Sequence, residues 1–395
     1  MKPGERLKII FVTPRLAKDW VNAAKMLKEK GHVVKAVCPA NENPSLQTVQ
    51  AGGIEAILLS MPRGGGIFSI PSLFFKVPAV ILRFYFIFRK ERPDVVYYFT
   101  FPSSLWARVA SWLARVPVRA SKINGPAIFG VPAFSFAELS TAFMDTVILA
   151  SCKMIERTYK RSRHLRNKVH LNYFGFAQDN FLREPNGSNI RKEFSIPEGA
   201  PLVVMVALMY CPRRWLFKGA NIKGHDIFIR AARIIKESNP DVRFMIVGDD
   251  ALPGLGVRAG LERMAGDLGL KDTIIFTGFR KDIPEILAAS DIAVVPSLTE
   301  NCGGAVEPLL MKKPVVASNV GGLPDVVIDG ITGILVRPGE PDALANGIMK
   351  LLSLPAETRL RMGEEGRELV KKLFDLRKVT DEMERIFHRE MDKRL

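Results

Sequence analysis

Short apolar runs rich in β-branched residues alternate with helix-length segments along almost the whole chain, and this alternation constrains the fold more than any other feature. The runs begin at Lys8, Val33, Ile54, Asp94, Val118, Thr146, Val169, Leu202, Val242, Ile274, Ile292, Val315 and Gly333. Strands separated by helices pair in parallel, with helices covering the sheet. We therefore predict an α/β fold of two doubly wound parallel-sheet domains, with ligands bound at the carboxyl ends of the strands in a cleft between the domains.

The chain has 395 residues, which is too long for one compact core and suits two domains. A polar stretch of Pro185, Asn186, Gly187 and Ser188 is the best candidate for the boundary. The predicted division is an N-terminal domain over 1–185, a linker over 186–200 and a C-terminal domain over 201–373. The charged segment 374–395 is predicted as a final helix that can return to the N-terminal domain.

Composition excludes several classes of protein. Hydrophobic residues make up 47% and charged residues 25% of the chain, which is typical of a globular protein and excludes wholesale disorder. The four cysteines lie far apart, so neither a disulfide framework nor a zinc-finger site is expected. The first residues, MKPGERLKIIFVTP, do not form a secretory signal, and we expect a cytoplasmic protein.

The net charge of +16 lies entirely in the first half of the chain. Residues 1–197 contain 29 Lys/Arg and 13 Asp/Glu, whereas residues 198–395 contain 28 of each. A basic surface confined to one half suits nucleic acid, anionic lipid or a phosphorylated substrate.

The stretch Pro296–Pro324 (PSLTENCGGAVEPLLMKKPVVASNVGGLP) has the densest set of chemically informative residues. Glu300 and Glu307 flank a turn in which Gly303 and Gly304 would let backbone N–H groups approach a ligand. A helix beginning near Glu307 would point its positive end at the same place, where it could hold a phosphate. The alternative is a helix-capping glutamate beside glycines required by packing.

This stretch resembles the donor-site signature of retaining family 4 glycosyltransferases, which have the two-domain GT-B fold. The resemblance continues through KKPVVASNVGGLPDVV and GITGILVRPGEPDALA, and upstream through FMIVGDD, FTGF and LAASDIAVVPS. It implies that Glu307 binds the ribose of a nucleotide and that Glu300 contacts the donor sugar. Six residues separate the two glutamates here, where the family usually has seven. The other donor-binding candidates in the matching stretches are Asn301, Cys302, Gly303, Gly304, Gly248 and Arg280.

A nucleoside diphosphate leaving group needs cations, because negative charge grows on it in the transition state. The family has an arginine after a strand and a lysine in a Lys-Gly-x-Asp context. Lys223 matches the lysine, and Arg214 or Arg213 is the candidate arginine, with Lys218 as a rival. The chain has no Asp-x-Asp sequence, so we expect no metal and no cofactor beyond the sugar nucleotide. The alternative for these basic residues is that they form a solvated loop with no role in binding.

The acceptor side is less well defined by the sequence. Ile70–Pro93 is apolar but interrupted by Lys76 and Arg83 and two prolines, which argues against a spanning helix. A helix lying in a membrane interface fits better, and the alternative is an ordinary core helix. The aromatic residues expected to insert are Phe74, Phe75, Phe84, Phe86 and Phe88. A second basic run, Lys153–Lys168, could contact the same surface, and no nucleic-acid-reading motif accompanies the charge.

A weaker resemblance links the N-terminal half to family members that extend polyprenyl-linked sugars. It rests on PRGGGIFSIPSLF, RPDVVYYFTFPSS, INGPAIF (which contains Asn124) and NKVHLNYFGFAQDNF. The histidine that the family often places after the strand at Asp94 is absent, so the acceptor base is not identified.

These observations predict a metal-independent retaining hexosyltransferase, peripheral on the inner face of the cell membrane. It would transfer a sugar from a nucleoside diphosphate to a lipid-linked or polysaccharide-precursor acceptor. Two alternatives stay open. One is a transferase of the same fold with a soluble sugar or sugar-phosphate acceptor, and the other is a non-catalytic protein that binds a nucleotide sugar or nucleic acid.

Overall fold

The structure, a computed structural model, describes residues 6–12, 18–40, 44–60, 70–99, 103–123, 125–183, 185–211, 221–252 and 254–394. Side chains are described throughout these ranges except at positions 18, 19, 44, 45, 70–76, 103 and 127. The chain forms two compact units. Unit 1 comprises Met1–Ala177 and Phe374–Leu395, and unit 2 comprises Gln178–Leu373. The predicted linker, residues 186–200, lies inside unit 2.

Unit 1 is built on a seven-stranded parallel sheet in the order β3-β2-β1-β4-β5-β6-β7. Its strands are β1 Lys8–Val12, β2 Val33–Pro39, β3 Glu55–Leu59, β4 Val95–Phe99, β5 Val118–Ile123, β6 Val147–Ala150 and β7 Val169–Leu171. Between them lie α1 Lys18–Glu29, α2 Pro44–Ala51, α3 Ile70–Glu91, α4 Ser103–Leu113, α5 Pro132–Thr141 and α6 Lys153–Lys160. The strand order reverses between β1 and β4.

Unit 2 has a six-stranded parallel sheet in the order β10-β9-β8-β11-β12-β13. Its strands are β8 Leu202–Val206, β9 Arg243–Val247, β10 Ile274–Gly278, β11 Ile292–Val295, β12 Val315–Ser318 and β13 Gly333–Val336. Its helices are α7 Asp179–Leu182, α8 Ser188–Glu193, α9 His225–Ser238, α10 Val257–Asp267, α11 Ile283–Ala289, α12 Gly303–Leu310, α13 Pro341–Ser353 and α14 Ala356–Leu373. The order reverses between β8 and β11. The α/β, doubly wound fold expected from the sequence is confirmed, and each strand begins within one residue of its predicted start.

The last helix, α15 Leu376–Asp392, belongs to unit 1. Its Met383 and Phe387 pack into the core that β1, β4 and α1 form on one face of the sheet. At its polar edge, His32 Nε2 lies 2.9 Å from Glu384 Oε1, and Lys30 Nζ lies 2.5 Å from Asp381 Oδ1. This helix therefore supplies part of the core of a sheet that begins more than 350 residues earlier in the chain.

Helix α3 lies on the opposite face of that sheet. Phe84 and Phe88 are buried against β1 and β4, so the expectation that they insert into a membrane interface is wrong. Leu82 and Phe86 of the same helix are exposed, at 54% and 61%. The side chains of Phe74, Phe75 and Lys76 lie outside the described residues. Among the helices of the described chain, none combines the length and the apolar character needed to cross a bilayer.

A buried ionic network joins α4, α5 and the segment before β6 in unit 1. Arg108 has no exposed surface and pairs with both Glu138 and Asp145, at 2.9 Å between Nη2 and Asp145 Oδ2. Tyr98 and Tyr159 donate hydrogen bonds to Asp145 and Glu138, respectively. Buried ions are tolerated only when paired and hydrogen-bonded in this way, so the network fixes how α4 and α5 pack.

We predict that Arg108→Leu lowers the free energy of unfolding of unit 1 by about 3–5 kcal/mol, because it leaves two buried carboxylates without their cation. Urea unfolding followed by fluorescence measures the change. The matched control is Arg89→Leu, at an exposed position of α3, which should stay within about 0.5 kcal/mol of wild type. Equal losses in both variants would contradict the assigned role of Arg108.

Candidate functional site

A pocket of about 180 Å³ opens in unit 2 where β8 and β11 end. This is the point at which the strand order of the sheet reverses, where doubly wound sheets bind ligands. The residues that line it are Met205, Val206, Ala207, Leu208, Tyr210, Lys223, Val294, Val295, Pro296, Ser297, Glu300 and Gly304. Three of the predicted site residues, Lys223, Glu300 and Gly304, therefore meet in one pocket.

The turn before α9 brings Lys223 to the pocket. Gly224 has φ +78°, and a Cβ there would lie 2.1 Å from the carbonyl oxygen of Pro296. Leu298 N donates to Ile222 O at 2.9 Å, which ties the same turn to the segment after β11. Only glycine permits this close approach, because any side chain would meet the backbone of the neighbouring strand end.

Lys223 and Glu300 form an ion pair at 2.5 Å between Nζ and Oε2. Two more donors hold the carboxylate: Ser297 Oγ at 3.2 Å from Oε2, and the backbone N of Asn301 at 3.1 Å from Oε1. The side chains of Lys223 and Glu300 are 24% and 11% exposed. An ammonium group and a fixed carboxylate thus lie side by side in a partly buried pocket, where they can bind an anion and a hydroxyl group together.

Helix α12 begins beside this pair at Gly303, so the expected start near Glu307 is wrong and Gly303 and Gly304 belong to the first turn of the helix. Its N-cap residue, Cys302, is buried and its thiol donates to Gly322 O at 3.2 Å. A Cβ on Gly304 would be 3.0 Å from Val295 Cγ1, so the glycine lets α12 start against the end of β11. The first amides of α12, at Gly303 and Gly304, lie at the positive end of the helix dipole. Glu307 lies further along α12, is partly buried and is not among the pocket-lining residues.

The other predicted donor-site residues lie elsewhere or outside the described residues. Gly248 has φ +139°, and a Cβ there would lie 2.0 Å from Ala207 O, so it allows β9 to end against the pocket wall. Arg280 pairs with Glu193 and Asp282, both at 2.6 Å, and does not line the pocket. Arg213, Arg214, Lys218 and Asn124 fall outside the described residues. Arg83 of unit 1 is exposed on α3.

Sequence reasoning missed two buried polar residues under the pocket, Asn221 and His225. His225 Nδ1 lies 3.1 Å from Asn221 Oδ1, and Nε2 lies 3.4 Å from Ala207 O. Burial lowers the pKa of His225 to about 4. The signal that could have found them is the Asn-x-Lys-Gly-His order itself, because residues flanking a glycine turn are well placed to bond across it.

One cluster among the described residues has the composition of a metal site. His32, Glu384 and His388 of unit 1 offer ligand atoms within 4.8 Å of one another. However, His32 Nδ1 accepts a hydrogen bond from the backbone N of Leu7 at 3.1 Å, so Nε2 carries the proton and donates to Glu384. In this tautomer His32 has no lone pair to give a metal. We interpret the cluster as the contact that docks α15.

A buried lysine, Lys122, lies at the carboxyl end of the unit 1 sheet. Its Nζ donates to Asn172 Oδ1 at 2.7 Å and to Tyr173 O at 3.0 Å. Burial lowers the pKa of Lys122 to about 7. Because its donors are engaged by oxygens of the chain segment after β7, Lys122 ties that segment to β5.

The chain is similar to known proteins over both halves. Residues 218–369 match the family model of glycosyl transferases group 1, and residues 17–129 match a glycosyl transferase 4-like domain. A 2-deoxystreptamine glucosyltransferase from Streptomyces kanamyceticus is 33% identical over 182 residues, which is 45% of this chain and 43% of that protein. A D-inositol 3-phosphate glycosyltransferase from Mycolicibacterium gilvum is 36% identical over 140 residues, or 35% of this chain and 31% of that protein. The matches thus span less than half of these relatives.

Solved structures resemble the whole chain. A glycosyltransferase from Rickettsia africae has a TM-score of 0.77 at 19% identity, covering 98% of this chain and 99% of its own. Anabaena Alr3699/HepE in complex with UDP-glucose has a TM-score of 0.73 at 21% identity, covering 96% and 99%. At this level of identity the likeness establishes the fold.

We predict that acid destabilises unit 2 partly through His225. A histidine whose folded pKa is about 4, against an unfolded value near 6.5, contributes stability above pH 6.5 that is lost as the pH falls toward 4. The difference amounts to about 3 kcal/mol at most. The measurement is the urea midpoint at pH 7.5 and pH 5 for wild type and for His225→Asn, which cannot ionise. The wild-type midpoint should fall further than that of the variant, and parallel falls would contradict the prediction.

Proposed function

We propose that this chain, a two-unit protein of the GT-B fold with matches to two glycosyltransferase family models, is a metal-independent retaining glycosyltransferase. The observation that carries the proposal is the Lys223–Glu300 pair in a pocket at the switch point of unit 2, within the region that matches glycosyl transferases group 1. The pocket would bind the diphosphate and sugar of a nucleoside-diphosphate-sugar.

The Lys223–Glu300 pair can bind both the diphosphate and the sugar of that ligand. On donor binding, the Lys223 ammonium exchanges part of its contact with Glu300 for oxygens of the diphosphate. Glu300, still held by Ser297 and by the amide of Asn301, accepts hydrogen bonds from sugar hydroxyls. When the bond between the sugar C1 and the phosphate oxygen breaks, the electron pair goes to the diphosphate. Lys223 then stabilises the added charge, with the amides of Gly303 and Gly304.

The remaining roles follow from the motif. Glu307 would bind the ribose. Arg213 or Arg214, with Lys218 as the alternative, would share the diphosphate with Lys223. The leaving phosphate would take the proton of the acceptor hydroxyl as the new C1–O bond forms, so no separate enzyme base is required.

We predict that nucleotide binding depends on Lys223. UDP, GDP or ADP at 100 times its dissociation constant should stabilise the wild type by about 2.7 kcal/mol, seen as a thermal shift with one of the three. Lys223→Ala and Glu307→Ala should lose most of that shift and lower turnover by at least ~10²-fold, because each removes a charged contact to the donor.

The matched control is Lys236→Ala, which removes a half-buried lysine from α9, the helix that follows Lys223. It should retain both the shift and the turnover. An equal shift in the wild type and in Lys223→Ala would remove the donor-site assignment.

The acceptor is proposed to be lipid-linked and presented at an anionic membrane. Neighbouring helices α3, α4 and α5 of unit 1 expose large apolar side chains, and exposed basic residues lie among them. The apolar set is Leu82, Phe86, Trp112, Leu113 and Phe136, and the basic set is Arg83, Arg89, Lys90 and Arg115. Aromatic and aliphatic side chains interspersed with cations are typical of surfaces that dock on anionic lipid.

A soluble acceptor is the second candidate. The curated relatives are named for action on 2-deoxystreptamine and D-inositol 3-phosphate, which are water-soluble compounds. A basic unit 1 suits a phosphorylated acceptor as well as a membrane.

We predict that the wild type sediments with vesicles containing anionic lipid, and that raising the salt concentration weakens this binding. Phe86→Ser with Trp112→Ser should reduce the bound fraction several-fold, because these side chains insert at the interface. The control is Leu360→Ser, an equally exposed leucine of α14 in unit 2, which should bind as the wild type does. Equal binding to neutral and anionic vesicles would argue against the membrane assignment and favour a soluble acceptor.

A further inference from the structure

Asn221 is buried beneath the pocket, at 2% exposure, and its side-chain amide forms hydrogen bonds to two chain segments. Its Nδ2 donates to Tyr210 O at 3.1 Å. Its Oδ1 accepts from the backbone N of Lys223 at 3.1 Å. This second bond fixes which side of the amide faces Lys223, because a flipped amide would set two donors against each other.

His225 completes the arrangement from the first position of α9. With Asn221 Oδ1 established as an acceptor, His225 Nδ1 lies 3.1 Å away, where it can donate to that oxygen. Nε2 lies 3.4 Å from Ala207 O, a second acceptor, so both ring nitrogens face oxygen acceptors of the chain. His225 therefore contacts the Asn221 amide through one ring nitrogen and Ala207, which follows β8, through the other.

These contacts connect three residues that line the pocket: Ala207, Tyr210 and Lys223. They also join the two ends of the segment 211–220, since Tyr210 precedes it and Asn221 follows it. That segment carries Arg213, Arg214 and Lys218. The Asn221 side chain thus links Tyr210, which follows β8, to the turn that carries Lys223.

We propose that Asn221 and His225 are positioning residues for Lys223, which hold its ammonium opposite Glu300. This inference rests on the proposed function for the role of Lys223. Neither Asn221 nor His225 lines the pocket, but together they fix the position of the Lys223 ammonium in it.

The first test is independent of activity and follows the hydrogen exchange of the Lys223 amide in the full chain. Asn221→Ala should lower its protection at least ~10-fold, because the amide loses its acceptor. Asn221→Asp keeps an acceptor oxygen and should retain that protection. His225→Asn, which keeps a donor near the position of Nδ1, should also retain it. Unchanged protection in Asn221→Ala would overturn the proposal.

The second test is a double-mutant cycle in donor hydrolysis, using whichever of UDP-glucose, GDP-mannose and ADP-glucose the wild type cleaves fastest. Asn221→Ala should lower kcat/KM at least ~30-fold in the wild type, because a displacement of about 1 Å misplaces the cation. In the Lys223→Ala background the same substitution should change kcat/KM less than about 3-fold. A residue that only supports folding would cause the same loss in both backgrounds, and that result would overturn the proposal.

The matched control is Asn239→Ala at the other end of α9, which should leave the Lys223 amide and kcat/KM unchanged. The two tests separate the failures. If the wild type hydrolyses none of the three donors, the proposed function fails. The exchange of the Lys223 amide still decides whether Asn221 holds the turn. If hydrolysis occurs but the cycle is additive, the positioning role fails and the proposed function stands.

Discussion

The site in unit 2 depends on how closely the turn before α9 approaches the end of β11. Gly224 makes this approach possible, because a Cβ at that position would lie 2.1 Å from the carbonyl oxygen of Pro296. The contact brings Lys223, which follows β8 in the chain, against Glu300, which follows β11. Two strands adjacent in the sheet but about 90 residues apart in sequence thus deliver the two halves of one ion pair.

Unit 1 depends on buried polar contacts that hold distant segments together. Arg108 bridges Glu138 and Asp145 without any exposed surface. The return of α15 to this unit likewise places His32 against Glu384. Ionic groups in such places stabilise only one arrangement of their neighbours, because any other would leave a buried charge unpaired. These contacts therefore fix how α4, α5 and α15 pack in unit 1.

Much of the architecture could be predicted from the sequence, since alternation of apolar runs with helix-length segments is a local signal. The sequence did not show which residues of a single helix are buried and which are exposed. Helix α3 was expected to present Phe84, Phe86 and Phe88 alike, whereas Phe84 and Phe88 are core residues and Phe86 is exposed. An apolar helix with phenylalanines on several faces gives no signal of which face meets the sheet. Arg280 is a similar case, since only the fold shows that Glu193 and Asp282 engage it.

The sequence by itself determined the two parallel sheets, because the alternation of strands and helices is a local pattern. Motif spacing selected Lys223 and Glu300 as candidate site residues. The sequence also predicted a turn at Gly303–Gly304, whereas the structure has these glycines in the first turn of α12. Only the tertiary structure decided that Lys223 and Glu300 pair, that Ser297 supports the carboxylate, and that Asn221 and His225 lie beneath them. Such contacts join strand ends that are distant in the chain. The packing of β8 against β11 sets their geometry, and no local pattern of residues records it.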